Sequence, residues 1–308
     1  SLAKGRSCWT VPFLIYREWE RGWTRQWRIY TVVSVYKGAV YMKKYLSFFR
    51  LRFSMGLQYR AAAAAGVVTQ FAWGGMEVLV FRAFYRADPG AFPMTLQATC
   101  SYIWLQQAFL ALFMAWLMEN EIFDCIRNGN VSYEMCRPLD IYNMWFTRSV
   151  ANRVSKAVLR CMPILFVAAV VPAPYGITLP VSPEAAVLFA AGMVLGVLVV
   201  TAFCMLVYVI TFFTISPDGV RMVAVSAVEL LAGSIIPIPF FPDSVRKILE
   251  LLPFAAMQNV PLRIYSGDLA GEAAVTALLL QVFWLVVLVL MGKLLMRRAE
   301  KKISVQGG

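Results

Sequence analysis

The 308-residue sequence contains no histidine, and only 15% of its residues are charged. Without histidine the chain has no imidazole general base, no imidazole metal ligand and no Ser-His or Cys-His nucleophile pair. An ordinary soluble domain is about 25% charged and about 45–50% apolar. Here 60% of the residues are apolar, and the mean hydropathy is +0.66. The composition therefore excludes a soluble globular domain, a disordered chain and a fibrous protein.

Several motifs that carry chemistry are also missing. The six cysteines form no C-x-x-C pair, so we predict neither a disulfide nor a metal site. The sequence has no GxxxxGK[ST] loop for ATP, no GxSxG, no HExxH and no EF-hand loop. We expect a chain that is not an enzyme and binds no cofactor itself. If it transports, it uses an ion gradient or takes its energy from another subunit.

Residues 1–41 differ in character from the rest of the chain. They begin with Ser, are rich in Trp and Arg, and contain no apolar run long enough to span a bilayer. Lys37-Gly38-Ala39 can be encoded by a purine-rich ribosome-binding sequence a few codons before Met42. We therefore predict that 1–41 is a non-native upstream extension and that the natural protein starts at Met42. The alternative is a basic, aromatic segment at the membrane surface.

Six apolar stretches are long enough to be read as membrane crossings, which need about 20 mostly apolar residues. The predicted spans are about 61–84, 96–117, 158–175, 185–213, 222–240 and 273–295. From Met42 onward, 17 Lys and Arg residues flank these spans on one side and 5 on the other. The positive-inside rule places both termini in the cytoplasm. Topology thus explains the net charge of +12, and we predict no nucleic-acid partner.

Two segments outside the spans, both on the predicted cytoplasmic side, have patterns of their own. Residues 42–60 repeat Leu and Phe at helical spacing, which predicts an amphipathic helix lying in the interface; the alternative is an extended start of span 1. In the loop 119–155, Asn128-Gly129 marks a turn, Pro138 stops a helix and Asp140 can cap the next. This loop mixes both charges with apolar residues, as a docking surface for a cytoplasmic partner would.

The outer loop 236–271 contains five prolines that separate two rather apolar stretches. Two short helices broken by prolines fit a segment that dips back into the outer leaflet. Such backbone is tolerated at membrane depth only where protein buries it or it lines a cavity. A plain extracellular loop is the alternative.

Polar and small residues inside the spans give weaker signals. Glu77 and Glu229 are the acids within predicted spans, where a charge costs at least about 2.5–3.5 kcal/mol. Each is either a pathway residue or a hydrogen-bonded packing residue between helices. Gly192 and Gly196 form a GxxxG pattern that allows close helix contact, a weak indication of a dimer interface.

From residue 42 to the end, the chain resembles the membrane permease subunits of bacterial type-2 ATP-binding-cassette exporters, in the branch with six spans and no fused ATPase. The resemblance is carried by the order and spacing of several loose motifs: residues 45–63, 126–129, 137–139 and 241–254, with Pro261 and Gly267. Residues 1–41 have no counterpart in that pattern.

The resemblance implies an all-α integral membrane protein with six transmembrane helices and a cytoplasmic N-terminal interfacial helix. It also implies a cytoplasmic coupling helix that docks on the ATPase, and outer re-entrant helices between spans 5 and 6. The implied coupling residues are Ile122, Phe123, Ile126, Arg127, Gly129, Glu134, Arg137, Pro138 and Leu139. The implied outer re-entrant segment includes Pro242, Pro253, Phe254 and Pro261.

The same resemblance implies the partners. Two copies of an ABC ATPase, carrying ATP and Mg, would drive two permeases, the second identical or related, in the bacterial cytoplasmic (inner) membrane. The exported substrate would be amphipathic: a drug, a peptide or a lipid. The alternatives are a gradient-driven secondary transporter that uses Glu77 or Glu229, and a non-transporting membrane scaffold. The mixed-charge loop argues mildly against both, and the chain shows no repeat between its halves, which many secondary transporters have.

Overall fold

The computed structural model describes residues 42–88, 90, 92–214 and 216–301, and all regular structure within them is helical. The all-α prediction is confirmed for this part of the chain. The predicted extension 1–41 lies outside the described residues. In chain order the helices are α1 (42–56), α2 (Arg60–Ala87), α3 (Leu96–Ala108), α4 (Leu110–Phe113), α5 (Asn120–Arg127), α6 (Val131–Met135), α7 (Ile141–Val170), α8 (Pro183–Ile210), α9 (Pro217–Leu231), α10 (Asp243–Leu251), α11 (Asn259–Ser266) and α12 (Gly271–Glu300).

Among the described residues, three helices are long and apolar enough to cross a membrane: α2, α8 with the short turn that follows it, and α12. They differ in burial. In the most apolar window of α8, 67% of the residues are buried, against 28% in α2 and 17% in α12. The helix α8 packs against α12, α11 and α7 and is therefore the central element of the fold.

Residues 42–56 are helical, so this helix ends four residues before the predicted end of the amphipathic segment at 60. The chain divides into units of residues 1–47 and 48–308, and all packing described below belongs to the second unit. Within it, the rings of Phe49 and Phe53 stack with centroids 6.0 Å apart. Both rings are half-buried.

The second predicted span, 96–117, is not one continuous helix. It breaks at Phe109 and again at Met114, where the backbone turns extended. The buried guanidinium of Arg153 donates hydrogen bonds to the carbonyls of Leu112, at 3.1 Å, and Met114, at 2.8 Å. A side chain from another helix thus satisfies carbonyls that a continuous helix would pair internally. The apolar composition of residues 96–117 does not predict this contact with Arg153.

The third predicted span, 158–175, covers only the second half of a longer helix. The helix α7 begins after Asp140, whose carboxylate accepts a hydrogen bond from the Asn143 amide at 2.8 Å and caps the N-terminus. It ends at Val170, because Val171 precedes Pro172 and is held in an extended conformation.

The fifth predicted span, 222–240, is also too long. The helix α9 ends at Leu231, and Gly233 follows with φ of +79°, a conformation that favours glycine. Pro237 and Pro239 then prevent the chain from forming another regular helix directly after α9. The predicted boundary was wrong because the apolar composition continues past the point where the helix ends.

The GxxxG pattern of α8 is used within the chain. Gly192 lies against Pro261 and Leu278, and Gly196 lies against the carbonyl oxygen of Met257. The absence of a side chain at both positions lets α11, α12 and the segment before α11 approach the α8 backbone. The pattern therefore gives no support to a dimer interface.

Candidate functional site

Two short helices, α5 and α6, form the part of the predicted cytoplasmic loop that projects from the long helices. The turn between them includes Gly129, whose φ of +70° is readily adopted only by glycine. On the inner side of α5, Ile122 and Phe123 are buried. The opposite face of α5 is therefore turned outward.

A buried ion-pair cluster attaches the start of α5 to α7. Arg148 of α7 pairs with Glu119 through Nε and with Glu121 through Nη2. The side chains of Arg148 and Glu119 are only 7% and 9% exposed, whereas Glu121 is 75% exposed. Burial alone would lower the pKa of Arg148, but the two carboxylates outweigh it and raise that pKa. The guanidinium of Arg148 therefore stays charged.

Further contacts attach the same segment to α7 and α8. The buried indole of Trp145 on α7 donates a hydrogen bond to the Glu134 carboxylate of α6. The hydroxyl of Tyr208 on α8 accepts a hydrogen bond from the Glu119 amide at 2.6 Å. The Tyr208 ring packs edge-on against Phe123, with centroids 4.9 Å apart. Both ends of the α5–α6 pair are thus fixed to long helices.

The start of α9 contacts α5 as well. Arg221 donates a hydrogen bond to the Asn120 side chain at 2.6 Å, and its guanidinium lies 5.6 Å from the centroid of the Phe123 ring. A groove of about 340 Å³ separates the two helices beside this contact. Its lining is formed by Asn120, Phe123, Asp124, Arg127, Pro217, Asp218 and Arg221. A displacement of α5 would therefore act on α7, α8 and α9 together.

The outward face of α5 and α6 carries both charges and two large apolar side chains. Arg127 is exposed and pairs with Asp124 at 2.8 Å. Tyr133 is 75% exposed and Met135 45%. Gly129, Arg137 and Pro138 are exposed too, whereas Ile126, Glu134 and Leu139 are half-buried.

The predicted coupling set therefore divides into three groups. Ile122 and Phe123 are buried and hold the segment in place, Ile126, Glu134 and Leu139 are half-buried, and Arg127, Gly129, Arg137 and Pro138 are exposed. Asp124, Tyr133 and Met135 are exposed as well but were not among the predicted residues. We name the outward group the docking face, which consists of Asp124, Arg127, Gly129, Tyr133, Met135, Arg137 and Pro138.

At the other end of the molecule, the prolines predicted in the outer segment do not share one environment. Pro242 is exposed at the start of α10, and Pro253 is half-buried after it. Phe254 packs against Phe203 of α8, with ring centroids 5.6 Å apart. Pro261 is buried in α11 against α8. Phe254 and Pro261 thus join the outer segment to α8.

The non-helical backbone before α11 is buried and hydrogen-bonded to the surrounding helices. Gln281 of α12 donates to the Ala256 carbonyl at 2.7 Å, and Gln258 donates to the Ser234 hydroxyl at 3.0 Å. Gln106 of α3 donates to the Ser234 carbonyl at 2.6 Å. Irregular backbone is tolerated at membrane depth only where protein buries it or where it lines a cavity, and this segment is buried by protein.

A buried arginine joins the two outer helices. Arg263 of α11 is only 7% exposed and pairs with Glu250 of α10 and with Asp268, just beyond α11. The helix α11 ends at Gly267, whose φ is +81°. The ion pairs of Arg263 therefore hold α10 and α11 together.

The family of the chain follows from a sequence comparison. A family model described as "ABC-2 family transporter protein" matches residues 71–307, which is more than half of the chain. The chain belongs to the ABC-2 transporter family. The match includes α5, α6 and the outer segment. Neither the search of curated proteins nor that of solved structures gave a match.

The two acids inside the spans of this ABC-2 family chain have different surroundings. Glu77 of α2 is half-buried, and the buried amide of Gln107 lies 3.4 Å from each of its carboxylate oxygens. Glu229 of α9 is also half-buried, and in the part of the chain that the structure describes no side chain pairs with it. No hydrogen bond joins the two acids within those residues. They are therefore not brought together in one site.

The described residues contain no group of three or more Cys, Asp or Glu side chains that could hold a metal ion. Their cysteines Cys100, Cys125, Cys136, Cys161 and Cys204 are free. Burial raises the pKa of the Cys125 thiol to about 11, so it reacts slowly at neutral pH. Cys136, in contrast, is exposed.

Proposed function

We propose that this chain is the permease subunit of an ATP-driven exporter, with ATP hydrolysis carried out by a separate ABC ATPase. The observation that carries the proposal is the docking face, an exposed surface of mixed charge on a segment that is fixed to α7, α8 and α9. The membership of the ABC-2 transporter family supports it. The substrate class is amphipathic: a drug, a peptide or a lipid.

In the proposed assembly, two ATPase subunits with ATP and Mg act on two permeases, the second identical or related. Closure of the ATPase dimer displaces α5 and α6 through the docking face. The cluster of Arg148, Glu119 and Glu121 passes that displacement to α7, and Tyr208 passes it to α8. This is a rigid-body switch, because the connecting contacts are ion pairs and packed rings with little freedom.

The proposed membrane arrangement has six crossings, formed by α2, α3 with α4, α7, α8, α9 and α12. Both termini and the docking face lie in the cytoplasm of a bacterium, and α10–α11 form the outer re-entrant pair. A variant that keeps only Cys136 tests this arrangement with a membrane-impermeant maleimide. We expect labelling in inside-out vesicles and none in spheroplasts. A second single-cysteine variant, Leu179→Cys in the 87%-exposed loop position after α7, should show the reverse. The same sidedness for both would contradict the arrangement.

The docking role is tested by reversing one charge on the docking face. We expect Arg137→Glu to weaken co-purification of the co-expressed ABC ATPase about tenfold, which corresponds to ~1.4 kcal/mol. Arg297→Glu, a reversal of an equally exposed charge near the end of α12, is the matched control and should leave the complex intact. Full ATPase binding and transport by a correctly inserted Arg137→Glu chain would refute the docking role.

A further inference from the structure

A groove lies between the start of α2, at the end that the charge distribution places on the cytoplasmic side, and the second half of α7. It has a volume of about 390 Å³ and is lined by Arg60, Ala63, Ala64, Val67, Leu159 and Pro163. All of these residues except Arg60 are apolar. The helix surface around it is apolar as well, with Val68 70% and Met162 71% exposed. The groove thus opens onto the surface that faces lipid in the proposed arrangement.

A second arginine lies beside this groove. Arg160 follows the groove residue Leu159 in α7, and its guanidinium rests against Gly66 of α2. A Cβ at position 66 would be only 2.6 Å from its Cζ. The Nε of Arg160 is buried and has no hydrogen-bond partner. Glycine at 66 therefore makes room for a cation whose own donor is left unsatisfied.

Arg160 is half-buried and Arg60 is exposed, and neither has the carboxylate partners of the buried Arg148 and Arg263. Arg148 and Arg263 each pair with two acids. In the described part of the chain, no acid pairs with Arg60 or Arg160. The charge of Arg160 is partly removed from water, and an anion would offset its desolvation. The protein itself does not supply one here.

We propose that this groove binds an anionic phospholipid, with the phosphate on Arg60 and Arg160 and an acyl chain along the apolar lining. Guanidinium groups bind phosphate oxygens through two parallel hydrogen bonds. Basic pockets between transmembrane helices on the cytoplasmic side are suited to acidic headgroups. An acyl chain matches the apolar lining, whereas a free phosphate ion would leave the lining uncovered. Such binding needs no ATPase, so the purified chain alone can be tested.

The test is native mass spectrometry of the purified full chain with an equimolar mixture of palmitoyl-oleoyl phosphatidylglycerol and phosphatidylcholine. We expect the wild-type chain to prefer the anionic lipid about tenfold or more. In Arg60→Gln/Arg160→Gln the preference should fall to within about twofold. The matched control Arg297→Gln/Arg298→Gln removes two exposed charges from α12 and should retain the preference.

A second pair of variants keeps all the charges. Ala64→Phe fills the groove and should reduce bound phosphatidylglycerol, whereas Ala65→Phe, on an exposed position outside the lining, should not. Inorganic phosphate should fail to displace the lipid. The proposal is overturned if both double variants lose the preference equally, if the two phenylalanine variants bind alike, or if phosphate alone displaces the lipid.

Discussion

The ion pairs of Arg148 predict that loss of Arg148 lowers the stability of the fold much more than loss of Glu121 does. Replacement of Arg148 by Met leaves the Glu119 carboxylate, which is 9% exposed, without its cation. Leaving one partner of a buried pair uncompensated costs about 3–5 kcal/mol. The Glu121 carboxylate is 75% exposed, so Glu121→Gln should cost at most about 1 kcal/mol. At about 2–4 °C per kcal/mol for a chain of this size, Arg148→Met should lower Tm by about 6–20 °C and Glu121→Gln by at most about 4 °C.

The assay is thermal unfolding of the purified chain in mild detergent, followed by tryptophan fluorescence. A double variant, Arg148→Met/Glu119→Leu, removes both charges. It therefore loses the attraction between them without leaving a buried carboxylate unpaired. It should be more stable than Arg148→Met alone, since apolar replacement of a whole buried pair is often neutral. Equal Tm shifts for Arg148→Met and Glu121→Gln, or a double variant less stable than Arg148→Met, would refute the reasoning.

Two further variants test the close contacts of the fold by the same measurement. In Gly196→Ala the new Cβ would lie 2.1 Å from the Met257 carbonyl oxygen, so we expect a loss of about 1–3 kcal/mol, whereas Gly75→Ala meets nothing within 4 Å and should be neutral or stabilising. Equal shifts for the two would contradict the close approach. Arg153→Met strands the carbonyls at the breaks after α3, at a cost of about 1–3 kcal/mol each. It should speed amide exchange in residues 110–117, while Arg127→Met, in an exposed ion pair, should not.

The elements that the sequence predicted well depend on local signals. Asn128-Gly129 forms the turn between α5 and α6, and Asp140 caps α7, because both conformations are decided by a few neighbouring residues. The family could be inferred for a related reason, since motif order and spacing along the chain need no packing information.

Span boundaries were harder to predict, because hydropathy measures composition and not helical continuity. The chain remains apolar through Met114 and through Ile236, yet its helices break or end there. At the break at 114, the carbonyls of Leu112 and Met114 are satisfied by Arg153, which lies about 40 residues further along the chain. No local pattern indicates such a partner.

For the docking face, too, the sequence did not predict which single residues are buried and which are exposed. An apolar residue in a polar loop faces either inward or toward a partner, and Ile122 and Phe123 face inward. The ring of Phe123 is held by Tyr208 and Arg221, which come from α8 and α9. The pairing of Arg148 with Glu119 and Glu121 likewise spans 29 and 27 residues. Sequence spacing therefore predicted a coupling segment but not which of its residues are buried.

The carbonyl of Met257 occupies the space where a side chain at position 196 would lie, and this contact limits how the molecule can move. Rotation of α8 by one residue is a turn of about 100°, which would place the side chain of Leu195 or Val197 against that oxygen. Sliding along the helix axis meets the same obstacle. Any motion of α8 must therefore carry the segment before α11 with it as one body. Relative motion during a transport cycle is then left to the helices outside this contact.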